Sequence, residues 1–388
     1  MTSERKMQVI ELTKEQTMLQ KTTREIARDK IAPLASDMDR EQKFPPELLD
    51  IFNKYGYLSM MLPEEYGGFN ADTVAMCLVI EELAKVCAST AVTLTGHITG
   101  SVAFLRSATE DQKQKFLTGK GRAKIFAISI SEPDAGSDVS SIKTEAFLDG
   151  NDYVVNGLKC FVTNGGMADL YIVFIRTSDD KRKGISTFLV HKDTPGFKIG
   201  KKEDKMGLRG SNTTDLIFQD ARIPQGNILG AGSEGFEVVM RTMDKMRVIV
   251  GALALGIAEG ALKFALNYVK KREQFGKSIS SFQGIRFMLA DMATRVEASR
   301  LLIHRAATMV DKGVDNVSMY SSMAKYYASD IAMYVTTNAV QLMGGYGYMK
   351  DYPVERMMRD AKVTQIFEGT NQIQRLVIAK QMLSRNYL

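Results

Sequence analysis

The 388-residue chain contains no tryptophan, and its only cysteines are Cys77, Cys87 and Cys160. Scattered thiols in odd number, without CxxC spacing, offer no basis for a disulfide framework or a structural zinc site. A reducing compartment is expected, and no metal. Blocks of like charge are absent too. The formal charge of +6 is mild for this length, and Lys and Arg are interleaved with acids, which argues against a nucleic-acid partner while suiting an anionic ligand. Residues 86–105 carry no formal charge, yet Ser, Thr, Gly and His97 interrupt the run, so a buried helix with a small-residue face is expected in place of a membrane span. The N-terminus sets Glu4, Glu11 and Glu15 among its basic residues and lacks the apolar core of a signal peptide. A cytoplasmic location, away from membranes, follows as the expectation.

What the chain does have is apolar content, 45%, enough to build the two or three packed domains that this length implies. Up to about residue 120 the spacing is helical. Thr13 and Gln16 form a candidate capping box, Leu48, Ile51, Phe52 and Tyr55 share one face before Gly56, and residues 72–86 are apolar on nearly every face. From about residue 123 short β-type runs take over, at 125–130, 153–155, 170–175, 186–190 and 216–218, with Asp149-Gly150 and Asn156-Gly157 as hairpin-type turn signals. Helical stripes return after Gly235: Leu253, Ile257, Ala261, Phe264 and Tyr268, then Ile285, Leu289, Met292 and Val296. The expected fold is mostly α with a central β domain: an α-helical domain at 1–122, a β-barrel or sandwich at 123–232 and a helical bundle at 233–388.

Two loops carry candidate chemistry. Ser131-Glu132-Pro133-Asp134-Ala135-Gly136-Ser137-Asp138 follows a predicted strand, where Gly136 and the serine hydroxyls suit a phosphate; the same residue types also make an ordinary turn. In Gln365-Ile366-Phe367-Glu368-Gly369-Thr370-Asn371-Gln372 a carboxylate sits between an aromatic residue and a glycine. Burial would disfavour its charged form and make it a usable base near neutral pH, whereas exposure would leave a solvated or capping glutamate.

Seven motifs in order run along nearly the whole chain: Leu62-Pro63-Glu64-Glu65-Tyr66-Gly67-Gly68, the 131–138 loop, Phe161-Val162-Thr163-Asn164-Gly165-Gly166, residues 270–276, Gly344-Gly345-Tyr346-Gly347, Arg359-Asp360 and Glu368-Gly369-Thr370. On these the chain resembles the acyl-CoA dehydrogenase family, nearest its short-chain and butyryl-CoA-type members, a likeness that extends to Ala88-Ser89-Thr90 and His97. The resemblance implies FAD as cofactor, an acyl-CoA thioester as substrate, and a helical domain, a β domain and a four-helix bundle.

Position by position it implies that Glu368 takes the α-proton as catalytic base. Ile128, Ile130, Ser131, Gly136 and Ser137 would lie along the flavin and its pyrophosphate, with Phe161 and Thr163 covering the ring. Most relatives carry Trp where this chain has Phe161, so a smaller ring would cover the flavin face. Arg272, Phe275 and Gln283 match residues that reach the FAD of a neighbouring subunit, with Gln341, Gly345, Thr370 and Gln372 completing that site, which implies a homotetramer. Ser137, Asp244, Arg247 and the Gly369 backbone match contacts to the thioester and pantetheine. One subgroup places its glutamate where Met246 stands, and methionine cannot act as a base. Glutaryl-type relatives hold a distal carboxylate with an arginine in the helix matching residues 86–105, and this chain has none there. An electron-transferring flavoprotein would take the electrons; oxygen as acceptor, and a cyclic or branched acyl chain, stay open.

Overall fold

The computed structural model describes residues 11–118, 123–230, 232, 234–314 and 317–384. Glu4 and the exact ends of the expected domains, at 122 and 233, lie outside the described residues. The first part is helical: α1 (Lys14–Ile26), α2 (Ala35–Glu41), α3 (Glu47–Lys54), α4 (Thr73–Ala84), α5 (Ala88–Ser107) and α6 (Glu110–Leu117). Thr13 and Gln16 make the reciprocal capping box that starts α1, with Gln16 N donating to Thr13 Oγ1 and Thr13 N to Gln16 Oε1. On α3, Leu48 and Phe52 are buried while Tyr55, just past its end, is 38% exposed. Every residue of α4 is buried, as an all-round apolar helix requires. Its two glutamates are paired, Glu82 with Arg24 at 2.8 Å and Glu81 with Lys85 at 3.1 Å.

The strands are β1 (Phe126–Ser129), β2 (Glu145–Asp149), β3 (Asp152–Thr163), β4 (Leu170–Arg176), β5 (Ile185–His191), β6 (Phe197–Lys202) and β7 (Thr213–Pro224). They form one curled sheet of seven strands in the order β1-β4-β2-β3-β7-β6, with β5 also on β4. The sheet is mixed: β1 runs parallel to β4, while β3 and β7 are antiparallel. On β4 alternate side chains enter two different cores, Leu170, Ile172 and Phe174 into one and Tyr171, Val173 and Ile175 into the other. Asp149-Gly150 is a hairpin turn, with Gly150 at φ +64° between paired Asp149 and Asp152. Asn156-Gly157 is not. It lies inside β3 at a bulge, where Gly157 passes so close to Thr144 that a Cβ would lie 2.5 Å from its hydroxyl. Close backbone approach, and not chain reversal, is the reason for that glycine.

The last part comprises α7 (Gly235–Lys271), the two-residue strands β8 (Glu273–Gln274) and β9 (Lys277–Ser278), α8 (Gln283–Asp311), α9 (Val317–Met343), α10 (Pro353–Thr364) and α11 (Asn371–Ser384). Helix α7 is long and apolar enough to cross a membrane, but 78% of its apolar window is buried among α4, α5, α8 and α9, so it is a core helix. Left-handed Gly344, at φ +61°, closes α9. Helix α5 joins the helical part to the sheet. A Cβ on Gly96 would lie 2.8 Å from Thr163 Cγ2, and one on Gly100 would lie 2.8 Å from Phe126 Cβ. His97 Nδ1 accepts from Phe126 N at 3.1 Å, and Nε2 lies 2.7 Å from the Leu58 carbonyl.

Candidate active site

Between α10 and α11 the chain makes a tight turn in which Glu368 (φ +53°) and Gly369 (φ +86°) are both left-handed. Buried side chains grip the turn from two sides. Lys325 Nζ donates to the Gly369 carbonyl at 2.8 Å and to Asn371 Oδ1 at 3.0 Å; Gln374 Nε2 donates to the carbonyls of Glu368 at 3.1 Å and Gly369 at 2.8 Å. Asn371 in turn donates to Ser329 Oγ at 2.9 Å and Asp330 Oδ1 at 2.8 Å, and Gln365 reaches the same Asp330 oxygen at 2.7 Å. Lys325 and Ser329, one turn apart on α9, are both fully buried, as is Gln374. Thr370 Oγ1 accepts from Ile373 N at 3.3 Å and caps the start of α11. Gln372, beside it, is exposed.

Glu368 Oε2 is buried with no hydrogen-bond partner. Burial pushes the carboxyl up to about 7, opposed by the positive charges of Arg247 and Lys325. Burial likewise pushes the Lys325 ammonium down to about 7, with Glu368 the main opposing charge. Arg247, on α7, is buried and pairs through Nη1 with Asp244 Oδ1 at 2.9 Å, while Asp244 Oδ2 accepts from Ser318 Oγ at 2.6 Å. Both Asp244 oxygens are thus engaged by the protein itself. Met246, fully buried between them in sequence, offers no carboxylate.

The 131–138 loop is held from beneath. Glu132 is buried and accepts from Lys143 N at 2.6 Å, Thr144 N at 3.0 Å and the fully buried Lys159 Nζ at 2.8 Å; Lys159 also donates to the Ile130 carbonyl at 3.1 Å. Glu132 is turned inward while Asp134 and Asp138 stay exposed, and the loop presents Gly136 and Ser137 to the outside, with nothing within 4 Å of where a Gly136 Cβ would be. Ile128, Ile130 and Ser131 are half-buried beside it, and the Ser129 hydroxyl is buried without a partner. Phe161 is 67% exposed at φ +59°, two residues before Thr163, which packs against Gly96.

Arg272, Gln341 and Gly345 line one open groove of about 520 Å³, together with Tyr268, Ile279 and Tyr346. The Arg272 guanidinium lies 5.7 Å from the Tyr346 ring centre. Phe275 and Gly276, at φ +54° and +73°, form the two-residue turn between β8 and β9. A bulky residue at positive φ is strained, and this ring is 93% exposed. Gln283 begins α8 on the exposed side and is not among the groove's lining residues.

Lys325, Asn371 and Gln374 were not singled out from sequence. The available signal was a lysine at helical spacing among Ser321, Ser322, Ala328, Ser329 and Ala332, on the small-residue face that α9 buries.

Three family models match the chain: the N-terminal domain of acyl-CoA dehydrogenases at residues 13–122, the middle domain at 127–221 and the C-terminal domain at 233–383. The chain belongs to the acyl-CoA dehydrogenase family. An acyl-CoA dehydrogenase of Bacillus subtilis is 48% identical over 96% of this chain and 99% of its own length. A short-chain-specific acyl-CoA dehydrogenase of Clostridium acetobutylicum is 44% identical over 95% and 98%, and a cyclohexane-1-carbonyl-CoA dehydrogenase of Geobacter metallireducens 45% identical over 96% and 98%. Among solved structures, butyryl-CoA dehydrogenase of Megasphaera elsdenii superposes with a TM-score of 0.93 at 42% identity, covering 97% of this chain and all of that one. A chain from a structure of the electron transferring flavoprotein of Acidaminococcus fermentans gives 0.95 at 44% identity, with the same coverage. The three-part order expected from the motifs is that of this acyl-CoA dehydrogenase fold, and the protein is an oxidoreductase of that family.

Proposed function

We propose that this acyl-CoA dehydrogenase converts a short, uncharged acyl-CoA to its trans-2-enoyl-CoA, with Glu368 abstracting the α-proton. The observation that carries this is the buried, unpartnered Glu368 Oε2 in a doubly left-handed turn, on a carboxyl raised to about 7. Such a group is deprotonated often enough at neutral pH to act and is basic enough to take a carbon-bound proton. Arg247 and Lys325 lend positive potential to the carboxyl that takes the proton. Bound FAD would supply the acceptor for the hydride that leaves Cβ. The open Gly136, the orphaned Ser129 hydroxyl, the exposed Phe161 and the groove of Arg272, Gln341 and Gly345 fit such a cofactor, spread between this chain and a neighbour.

On this proposal Ile128, Ile130, Ser131, Gly136, Ser137, Phe161 and Thr163 hold the flavin within the chain. Arg272, Phe275, Gln283, Gln341, Gly345, Thr370 and Gln372 serve the shared site, and Ser137, Asp244, Arg247 and Gly369 meet the substrate. The domain division at 122 and 232, the homotetramer and the cytoplasmic location belong to the same proposal. An electron-transferring flavoprotein is its electron acceptor, supported by the likeness to the chain from the Acidaminococcus structure.

A cyclic acyl group is the rival substrate, because the relatives named for short-chain and for cyclohexane-1-carbonyl substrates are 44% and 45% identical to this chain. Anaerobic mixing with butyryl-CoA, cyclohexane-1-carbonyl-CoA and glutaryl-CoA, followed by flavin absorbance, decides between them. Butyryl-CoA should bleach the flavin with the highest specificity constant. Glutaryl-CoA should be slower by about 100-fold or more, since a buried carboxylate without a cation costs several kcal/mol. Comparable constants for glutaryl- and butyryl-CoA would overturn the uncharged-substrate assignment, and a faster cyclic substrate would replace butyryl.

A further inference from the structure

The turn that carries Glu368 contains two successive left-handed residues, and the groups that over-determine it are few and identifiable. Gln374 holds the two carbonyls from α11, the element that follows the turn in sequence. Lys325 holds the Gly369 carbonyl from α9, a separate element, at 2.8 Å, and fixes Asn371 with the same ammonium at 3.0 Å. A fully buried lysine that merely filled space would be better replaced by an apolar residue, so its ammonium needs a reason to be there. The charged groups acting on it are Glu368 from the turn, Arg247 from α7 and Asp330 on its own helix; Asp330 also lies 3.7 Å from Arg375 of α11.

We propose that Lys325 is a positioning residue for the dehydrogenation: by gripping the Gly369 carbonyl and Asn371 it holds the Glu368 carboxyl in its left-handed turn. Its charge also keeps that carboxyl available as the anion in a buried setting. The proposal rests on Glu368 being the base. Two functions are thereby separable, since hydrogen bonding to the carbonyl needs only an N–H donor while stabilising the anion needs a positive charge.

The test uses the FAD-loaded enzyme with Lys325→Met, Lys325→Gln and Lys325→Arg, and butyryl-CoA as probe. In Lys325→Met the limiting rate of flavin reduction should fall about 10- to 100-fold, the loss expected from a small misplacement of a reacting group, while half-saturation by butyryl-CoA stays within about threefold. The ascending limb of the reduction rate against pH should move to higher pH by about one unit in Met and Gln, because losing a nearby cation raises a carboxyl's pKa. Arginine, which keeps the charge, should hold the limb near its wild-type position. Independently of turnover, hydrogen exchange of the amides in residues 366–373 should quicken in Lys325→Met while that of β4 is unchanged. If the methionine variant does not fold, the limb in the glutamine variant decides. An unshifted limb with a reduction rate within about twofold of wild type overturns the proposal. Glu368→Gln is run alongside: rapid bleaching in that variant removes the base itself, whereas a silent Glu368→Gln with a wild-type Lys325→Met or Lys325→Gln removes only the role of Lys325.

Discussion

Glu368 and Phe275 both hold left-handed backbone geometry that costs a non-glycine residue on the order of 1–3 kcal/mol. Such strain survives only where the surroundings insist on it. For Glu368 the insistence comes from Lys325 and Gln374, and its result is a carboxyl whose Oε2 is buried without a hydrogen-bond partner. Glu368→Gln keeps the volume and removes the proton acceptor, so the flavin-reduction rate should fall by about 10²- to 10⁴-fold or more, because Met246 supplies no second carboxylate. FAD content and the spectral response to substrate should be retained, and loss of FAD instead would make the residue structural. On the proposed mechanism the wild-type reduction rate should climb as pH rises through about 7, since the base acts only when deprotonated. The linkage to folding has the opposite sense. A carboxyl raised from its ordinary 4.5 to about 7 favours the folded state fully below about 4.5, and that contribution is gone above about 7. At this scale the motif pointed to Glu368, but whether a glutamate there is a base or a cap turns on burial, and burial is a property of the fold. The small-residue face of α9 was the one signal for Lys325 and gave it no role, for a related reason: one lysine on a helix is ordinarily a solvated residue, and only packing against the 368–371 turn gives it a task.

Helix α5 shows how an element places chemistry that it does not itself carry. Gly96 and Gly100, one turn apart, let the helix lie against β3 and β1, the strands that lead to Thr163 and to the 131–138 loop. Gly100→Val would drive a branched side chain into Phe126 Cβ and the Ala127 carbonyl, whose present positions leave it 2.8 and 3.1 Å. Overpacking of this kind costs about 1–3 kcal/mol. It should also displace β1, so the variant should unfold at lower urea concentration and retain less FAD after gel filtration; unchanged FAD content with lowered stability would confine the effect to the core. The charge-free run at 86–105 foretold a buried helix with a small-residue face, because composition alone reveals such a helix. The partner of that face was not foretold. Nor was the bulge at Asn156-Gly157, since the same dipeptide serves a hairpin turn or a close crossing, and the choice belongs to Thr144, which is distant from the turn signal in sequence.

At the scale of the whole molecule, the order of helices, strands and helices was legible because hydrophobic period changes twice along the chain, whereas the mixed strand order depends on long-range pairing that no local pattern encodes. The same scale explains the apolar side chains left outside. Phe275 at 93%, Phe287 at 60%, Leu301 at 54%, Leu376 at 65% and Leu383 at 88% exposure lie on the β8–β9 turn, α8 and α11, in the part that also carries the groove of Arg272, Gln341 and Gly345. Several large apolar side chains left exposed in one part of the chain fit burial against further copies. We therefore expect a yellow homotetramer with one FAD per chain, in which Phe275 completes a neighbour's cofactor site. Burying one phenylalanine side chain is worth about 1.5–3 kcal/mol, so Phe275→Ala should weaken each affected contact by roughly 10- to 100-fold. Because the ring is exposed within its own chain, the substitution leaves the monomer's core intact and separates assembly from folding. Light scattering coupled to gel filtration, with flavin absorbance recorded on the same peak, should show smaller species at low protein concentration and FAD lost in step with them. A wild-type monomer that keeps its FAD would break the link between assembly and cofactor, and a Phe275→Ala tetramer with full FAD would remove Phe275 from the shared site.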